Sequence, residues 1–224
     1  MLSSWKNELL IYLAVPEGKQ SAILLGYSGH AFVVAEAALL NGIILLGYAE
    51  SKPTPLNPYQ LPYLGDETQY DFEHWQACQY YVLGVGSNTI RAKIADQVKA
   101  QGGACLTIVH PRASLAELVT IGEGTFIARN VAVNPLAEIG QNVILNTSCS
   151  IDHECQIADN AHIAPGAILA GNVKIGTGAF VGANAVIREG ISIGKEAVIG
   201  AGSVVIENVP SNVTVVGNPA KRVK

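Results

Sequence analysis

The stretch "IADNAHIAPGAILAGNVKIGTGAFVGANAVI", residues 157–187, decides the fold. An aliphatic residue stands at every sixth position: Ile157, Ile163, Leu169, Ile175, Val181 and Ile187. Followed outward in both directions, the phase holds from Val109 to Val205, seventeen positions without a miss. Chance at one fixed phase would give such a run less than roughly once in 10⁸ trials, so the period is structural.

The neighbours of each aliphatic define the geometry. Two residues before it the side chain is usually small, as at Ala137, Cys149, Cys155, Ala161, Ala167, Ala179, Ala185 and Ala197. Residues two apart on a strand share a face, so both point into one narrow interior. The position just after the aliphatic is often Gly, Asn or Asp (Gly122, Asn134, Gly140, Asn146, Asp152, Gly176), types that tolerate left-handed or turn backbone. A short strand and a bend every six residues describe a triangular parallel β-solenoid with about 18 residues per coil, stacked at about 4.8 Å. On this register Cys149 and Cys155 fill the core, His153 stands at a corner, and His162 faces outward from a flat side. Neither histidine is expected in the core.

Composition narrows the functional classes. Apolar residues are 49% and charged residues 14% of 224, with a net charge of −4 and no basic run except the terminal "AKRVK". That describes a packed soluble protein and argues against a nucleic-acid surface. Four cysteines without a CxxC are expected to be reduced, in a cytoplasmic setting. The N-terminal "LLIYLAV" is too short to span a membrane and is expected to be an extra helix or strand.

Residues 22–109 read as a small parallel α/β unit. "AILLG", "IILLGY", "YYVLGVG" and "CLTIVH" are strands, and "AFVVAEAALLNG" and "NTIRAKIADQVKAQGG" are helices. Ligands bind such sheets beyond the carboxyl ends of the strands, here at Gly26 to His30, Gly84 to Asn88 and Glu50. The turn "GYSGH" lacks the full GxGxxG spacing, so by itself it leaves a nucleotide site and an ordinary strand-to-helix turn both open. The expected organisation is an N-terminal extension 1–21, a Rossmann-like domain 22–109, a left-handed β-helix 110–208 and a C-terminal tail 209–224.

The motifs "GYSGH", "GVGSNTIR", "NTSCSIDHE", "HIAPGAILAGNVKIG" and "VVGNPAKRV" together resemble one family. It is the hexapeptide-repeat, left-handed β-helix nucleotide-sugar acetyltransferases, and within them the UDP-4-amino-sugar N-acetyltransferases and sialic-acid O-acetyltransferases. The resemblance covers nearly everything after residue 21. It implies acetyl-CoA as acyl donor, a nucleotide-sugar acceptor, a role in bacterial glycan biosynthesis, and a homotrimer with sites between subunits. By the same resemblance His153 is the general base and Glu154 its acidic support, with Asn146 of the same motif a further catalytic candidate. His162 and Gly171 match contacts to the thioester region, and Ala183 and Ala201 match backbone contacts to the pantetheine arm. Ser28, Gly29, His30, Glu50 and Gly86 match the nucleotide-sugar pocket. Ala31 departs from the family, where Gly often follows the histidine of "SGH".

The spacing agrees with that assignment. Ala183 and Ala201 are 18 apart, one coil, so they stack along the axis, where a long cofactor could meet one backbone group per coil. His153 and His162 are half a coil apart, beyond about 10 Å in one chain, so one thioester meets both only across an interface. A histidine suits proton removal from an amine or hydroxyl near neutral pH, and a Gly171 backbone N–H could face the oxyanion. Whether Asp152 or Glu154 orients His153 stays open at this level. An amine acceptor is favoured over a hydroxyl, and UDP over GDP. The alternatives are an O-acetyltransferase, a nonenzymatic nucleotide-sugar-binding scaffold, and a β-helical zinc enzyme of the γ-carbonic anhydrase kind. The last requires a close H-x₄-H pair; His110, His153 and His162 offer none, and no metal is expected.

Overall fold

The computed structural model describes residues 20–69, 72–76 and 78–223. The expected element in "LLIYLAV" lies outside the described residues. The front unit is a four-stranded parallel sheet of β1 (Ser21–Leu25), β2 (Ile44–Ala49), β3 (Tyr80–Leu83) and β4 (Ala104–Cys105), in the order β2-β1-β3-β4. Two helices cross it, α1 (Gly29–Leu40) and α2 (Asn88–Ala100). Strand β1 is apolar on both faces because both are covered. Ala22 and Leu24 join the cluster containing α1, while Ile23 and Leu25 join the cluster containing Ile94 and Val98 of α2.

Beyond β4 the chain winds into the predicted solenoid. Two-residue strands from β5 (Ile108–Val109) to Val204–Val205 each end on one of the six-periodic aliphatics. They assemble into three parallel sheets with a register of 18, as in Leu145 on Ile163 and Ile163 on Val181. From Ile127 onward every one of these side chains is buried, each contributing about 1.5–3 kcal/mol before chain entropy is counted. Three faces result. The first carries outward Phe126, Ile144, His162 and Phe180; the second Ser150, Ile168, Val186 and Val204; the third Glu138, Gln156 and Lys174.

The bends differ from expectation in one position. The left-handed residue is the third after each aliphatic, as at Asn142, Glu154, Asn160, Asn172 and Asn184, with φ between 54° and 60°. Its N–H bonds to the previous coil, as from Asn172 to His153 O at 2.8 Å. The glycine just after the aliphatic serves close stacking: a Cβ on Gly182 would lie 2.6 Å from Ala201 N in the next coil.

The two ends of the solenoid also differ. "CLTIVH" splits: β4 pairs with β3, but β5 pairs with Phe126–Ile127 on the first solenoid face. At the other end the strand Thr214–Val216 extends that same face by pairing with Val198–Ile199.

Helix α1 is wedged between the front sheet and the first solenoid face, contacting β2 and β5, with Glu36 paired to Arg129 at 2.7 Å. Helix α2 is riveted to successive coils. Arg91 donates to Asn142 O (2.8 Å) and Asn160 O (2.9 Å), and Asn88 donates to Gly178 O (2.9 Å). Those acceptors are 18 residues apart, so two side chains of one helix read three stacked corners. Arg91 is 1% exposed, and its remaining donors meet Val85 O, Gly86 O and Asn88 Oδ1. Its burial is tolerable because every N–H of the fork has an acceptor.

Among the described residues no helix is long and apolar enough to cross a membrane, and no cluster of His, Cys, Asp and Glu could hold a metal.

Candidate active site

His153 sits on the corner between the second and third faces, its side chain 51% exposed. Three contacts fix it. Asp152 Oδ1 accepts from the His153 backbone N–H at 2.8 Å and from Asn134 Nδ2 at 2.7 Å, which holds the Asp152 carboxyl below its usual range. Glu154 Oε2 lies 3.0 Å from His153 Nδ1. The division open at the sequence level is thereby resolved: Asp152 ties down the backbone of the corner and Glu154 orients the ring. A carboxylate only accepts, so Nδ1 donates in that contact, and Nε2 has no hydrogen-bond partner among the described residues. The third contact is with the coil above, where a Cβ on Gly171 would lie 2.5 Å from His153 Cε1. Glycine at 171 makes room for the imidazole.

His162 contradicts one expectation. It does point out of the prism, but the front unit covers that face, and the residue is 8% exposed. Asn146 Nδ2 contacts its Nε2 at 3.1 Å. The amide orientation is fixed because Asn146 Oδ1 accepts from Thr147 N–H at 2.8 Å. Nδ2 therefore donates, Nε2 accepts, and His162 is the neutral Nδ1–H tautomer. Burial, with Arg91 and His30 nearby, depresses its pKa to about 3. His30 packs on it at 6.2 Å between ring centroids and is itself lowered to about 4, first by burial and then by Arg91.

The predicted residues thus fall into separate groups within one chain. His153, Glu154 and Gly171 lie on the corner after the second face, while Asn146, Ala183 and Ala201 lie on the corner before it, beside His162. Cys149 and Cys155 are buried as expected, and burial pushes the Cys149 thiol up to about 12, which removes it as a nucleophile.

A third group surrounds a cavity of about 420 Å³ beyond the carboxyl ends of β1 and β3, walled by Ser28, His30, Glu50, Glu67, Val85 and Gly86. Gly29, predicted alongside Ser28, begins α1 and is not part of the wall. Glycines let the two turns meet: a Cβ on Gly26 would lie 2.5 Å from Val85 Cγ2, and one on Gly84 would lie 2.5 Å from Gly26 O. Helices α1 and α2 both begin here, and their N-cap residues Ser28 and Ser87 make no side-chain cap. Two sets of unused helix N–H groups therefore meet one cavity, which suits an anion. The opposite wall holds Glu50, whose Oε2 accepts from Tyr27 N–H at 3.2 Å, and Glu67, which sequence reasoning missed. Glu67 follows an irregular Pro/Tyr-rich loop, so no periodicity pointed to it.

Residues 21–98 match the PglD N-terminal domain, and residues 172–207 match the hexapeptide repeat of succinyl-transferase. No curated protein sequence matches the chain. Among solved structures, PerB from Caulobacter crescentus in complex with CoA and GDP-perosamine superposes with a TM-score of 0.86 at 30% identity. That match covers 94% of this chain and 100% of PerB. The acetyltransferase domain of PglB from Neisseria gonorrhoeae in complex with acetyl coenzyme A gives 0.84 at 29% identity, covering 92% and 100%. WeeI from Acinetobacter baumannii gives 0.82 at 24%, covering 91% and 100%, a likeness of fold. The chain belongs to the hexapeptide-repeat, left-handed β-helix nucleotide-sugar acetyltransferases that carry a PglD-type N-terminal domain.

Proposed function

We propose that the protein transfers the acetyl group of acetyl-CoA to the C4 amine of a nucleotide-linked amino sugar, in the bacterial cytoplasm, for glycan biosynthesis. The observation that carries this reading is the His153 corner: Glu154 on Nδ1, Gly171 of the next coil against the ring, and Nε2 without a partner among the described residues. Nε2 would take a proton from the amine as its nitrogen attacks the thioester carbonyl. The tetrahedral intermediate then collapses with cleavage of the C–S bond, and the thiolate leaves and is protonated to free thiol. The Gly171 N–H, which makes no backbone hydrogen bond among the described residues, is the candidate oxyanion donor.

A trimer supports this chemistry. The two corners carrying predicted residues flank the second face, whose outward Ile168, Val186 and Val204 form an apolar ladder at a spacing of 18. If that face turns toward a threefold axis, the His153 corner of one protomer meets the Asn146–Ala183–Ala201 corner of the next. Three equivalent sites close the ring. Acetyl-CoA would lie along the stacked Ala183 and Ala201, with His162 near its thioester end, and the cavity of the front unit would hold the nucleotide sugar. Uncapped helix ends for a diphosphate and carboxylates for hydroxyl and N–H donors support that last placement.

The test is release of free thiol from acetyl-CoA with a panel of UDP-, GDP- and dTDP-linked amino and hydroxy sugars. Thiol release with a 4-amino sugar is expected. Silence across the panel would leave a nucleotide-sugar-binding scaffold.

A further inference from the structure

Glu67 is a buried carboxylate on the cavity wall of the front unit. It is 6% exposed, and its Oε2 is buried without a hydrogen-bond partner among the described residues. Burial first, and then Glu50 and Asp66 nearby, raise its pKa. The loop that carries it is nevertheless held firmly. Gln97 Nε2 on α2 donates to Glu67 O at 2.7 Å, and the Glu50 N–H donates to Gly65 O at 3.0 Å. A buried acceptor left open on the wall of a cavity, on pinned backbone, calls for a donor supplied from outside.

The cavity has a direction. The uncapped starts of α1 and α2 mark the end where a diphosphate is stabilised. Glu50 follows the carboxyl end of β2, the place in parallel sheets where a carboxylate takes ribose hydroxyls. What remains of the wall is Glu67, Val85, Ile90 and Ile94. Ile90 is 53% exposed, an apolar surface on the rim against which a flat ring could lie. The edge of that ring would meet Glu67.

We propose that Glu67 reads the nucleobase and selects guanine over uracil; this rests on the nucleotide-sugar reading of the same cavity. Guanine offers N1–H and N2–H₂ side by side, two donors for an acceptor-only carboxylate. Uracil and thymine offer a single N3–H between two carbonyl oxygens, which the negative charge repels. Attraction and repulsion act together, as specificity requires. This reading favours GDP where UDP was the first expectation. The 30%-identical PerB structure carries GDP-perosamine.

Calorimetric titration of the whole chain with GDP, UDP and dTDP tests this. GDP should bind about tenfold or more tightly than either pyrimidine nucleotide, the usual discrimination of a two-donor base contact. Glu67→Gln substitutes an amide that both accepts and donates, matching the N3–H and O4 of uracil. GDP affinity should fall about tenfold, UDP affinity should hold or rise, and the unliganded melting temperature should hold or rise. Glu67→Asp withdraws the carboxylate and should weaken GDP without helping UDP. Glu50→Gln should weaken all three alike. UDP tighter than GDP in the wild type, or a ratio unmoved by Glu67→Gln, overturns the role of Glu67 and leaves the nucleotide pocket standing. Failure of all three nucleotides to bind the wild type overturns both.

Discussion

Glu154 turns back onto its own neighbour: its backbone is left-handed at φ 60°, and its Oε2 lies 3.0 Å from His153 Nδ1. On a straight strand adjacent side chains point to opposite sides, so the ring could not be held this way. The corner supplies the orientation, and the ring is held by a residue that is also the bend. His153→Ala should lower kcat by about 10²–10⁴-fold, the range for a positioned proton acceptor. Glu154→Gln should cost less, because an amide can still face Nδ1. Steady-state kinetics with chemistry shown to be rate-limiting decides it; a His153→Ala enzyme keeping a third of wild-type kcat would make the corner merely polar.

Gly171 and His153 should behave as one unit. A methyl group at 171 would overlap the imidazole, so Gly171→Ala should displace the ring and lower kcat at least tenfold while the fold survives. In a His153→Ala background the same change should be nearly silent. The double-mutant cycle measures this, and additive effects would deny the contact.

Acid should loosen the joint between the two units. Burial keeps His30 and His162 neutral in the folded chain near neutral pH, lowering their pKa values to about 4 and about 3 from the usual 6.5. The unfolded chain therefore binds more protons below 6.5, so stability present above that pH is lost as pH falls toward 3. Chemical denaturation from pH 7.5 to 4 should show less decline in His162→Asn than in the wild type. Equal slopes would mean that His162 is already charged or accessible.

The second solenoid face should be where protomers meet. Ile168 is 45% exposed and continues into Val186 and Val204. Ile168→Glu should yield folded monomers by light scattering, with activity lost, whereas Gln156→Glu on the third face should leave assembly intact. Trimers that survive Ile168→Glu would move the interface elsewhere.

The sequence by itself determined the solenoid, its register and the corner position of His153. A period of six repeated over this span permits only one set of inward side chains, as Ile163 between Leu145 and Val181 illustrates. It also determined the parallel front unit and the turn of Ser28 and His30, because strand and helix patterns are local. Two things were decided only by tertiary structure. Burial of His162 depends on which solenoid face the front unit covers, and that is set by Arg91 and Asn88 reaching carbonyls 51 to 90 residues away. Glu67 comes to the cavity through an irregular loop fixed by Gln97, 30 residues on. Periodicity records which way a side chain points from its own strand; what then covers it depends on contacts between distant segments, which no local pattern encodes.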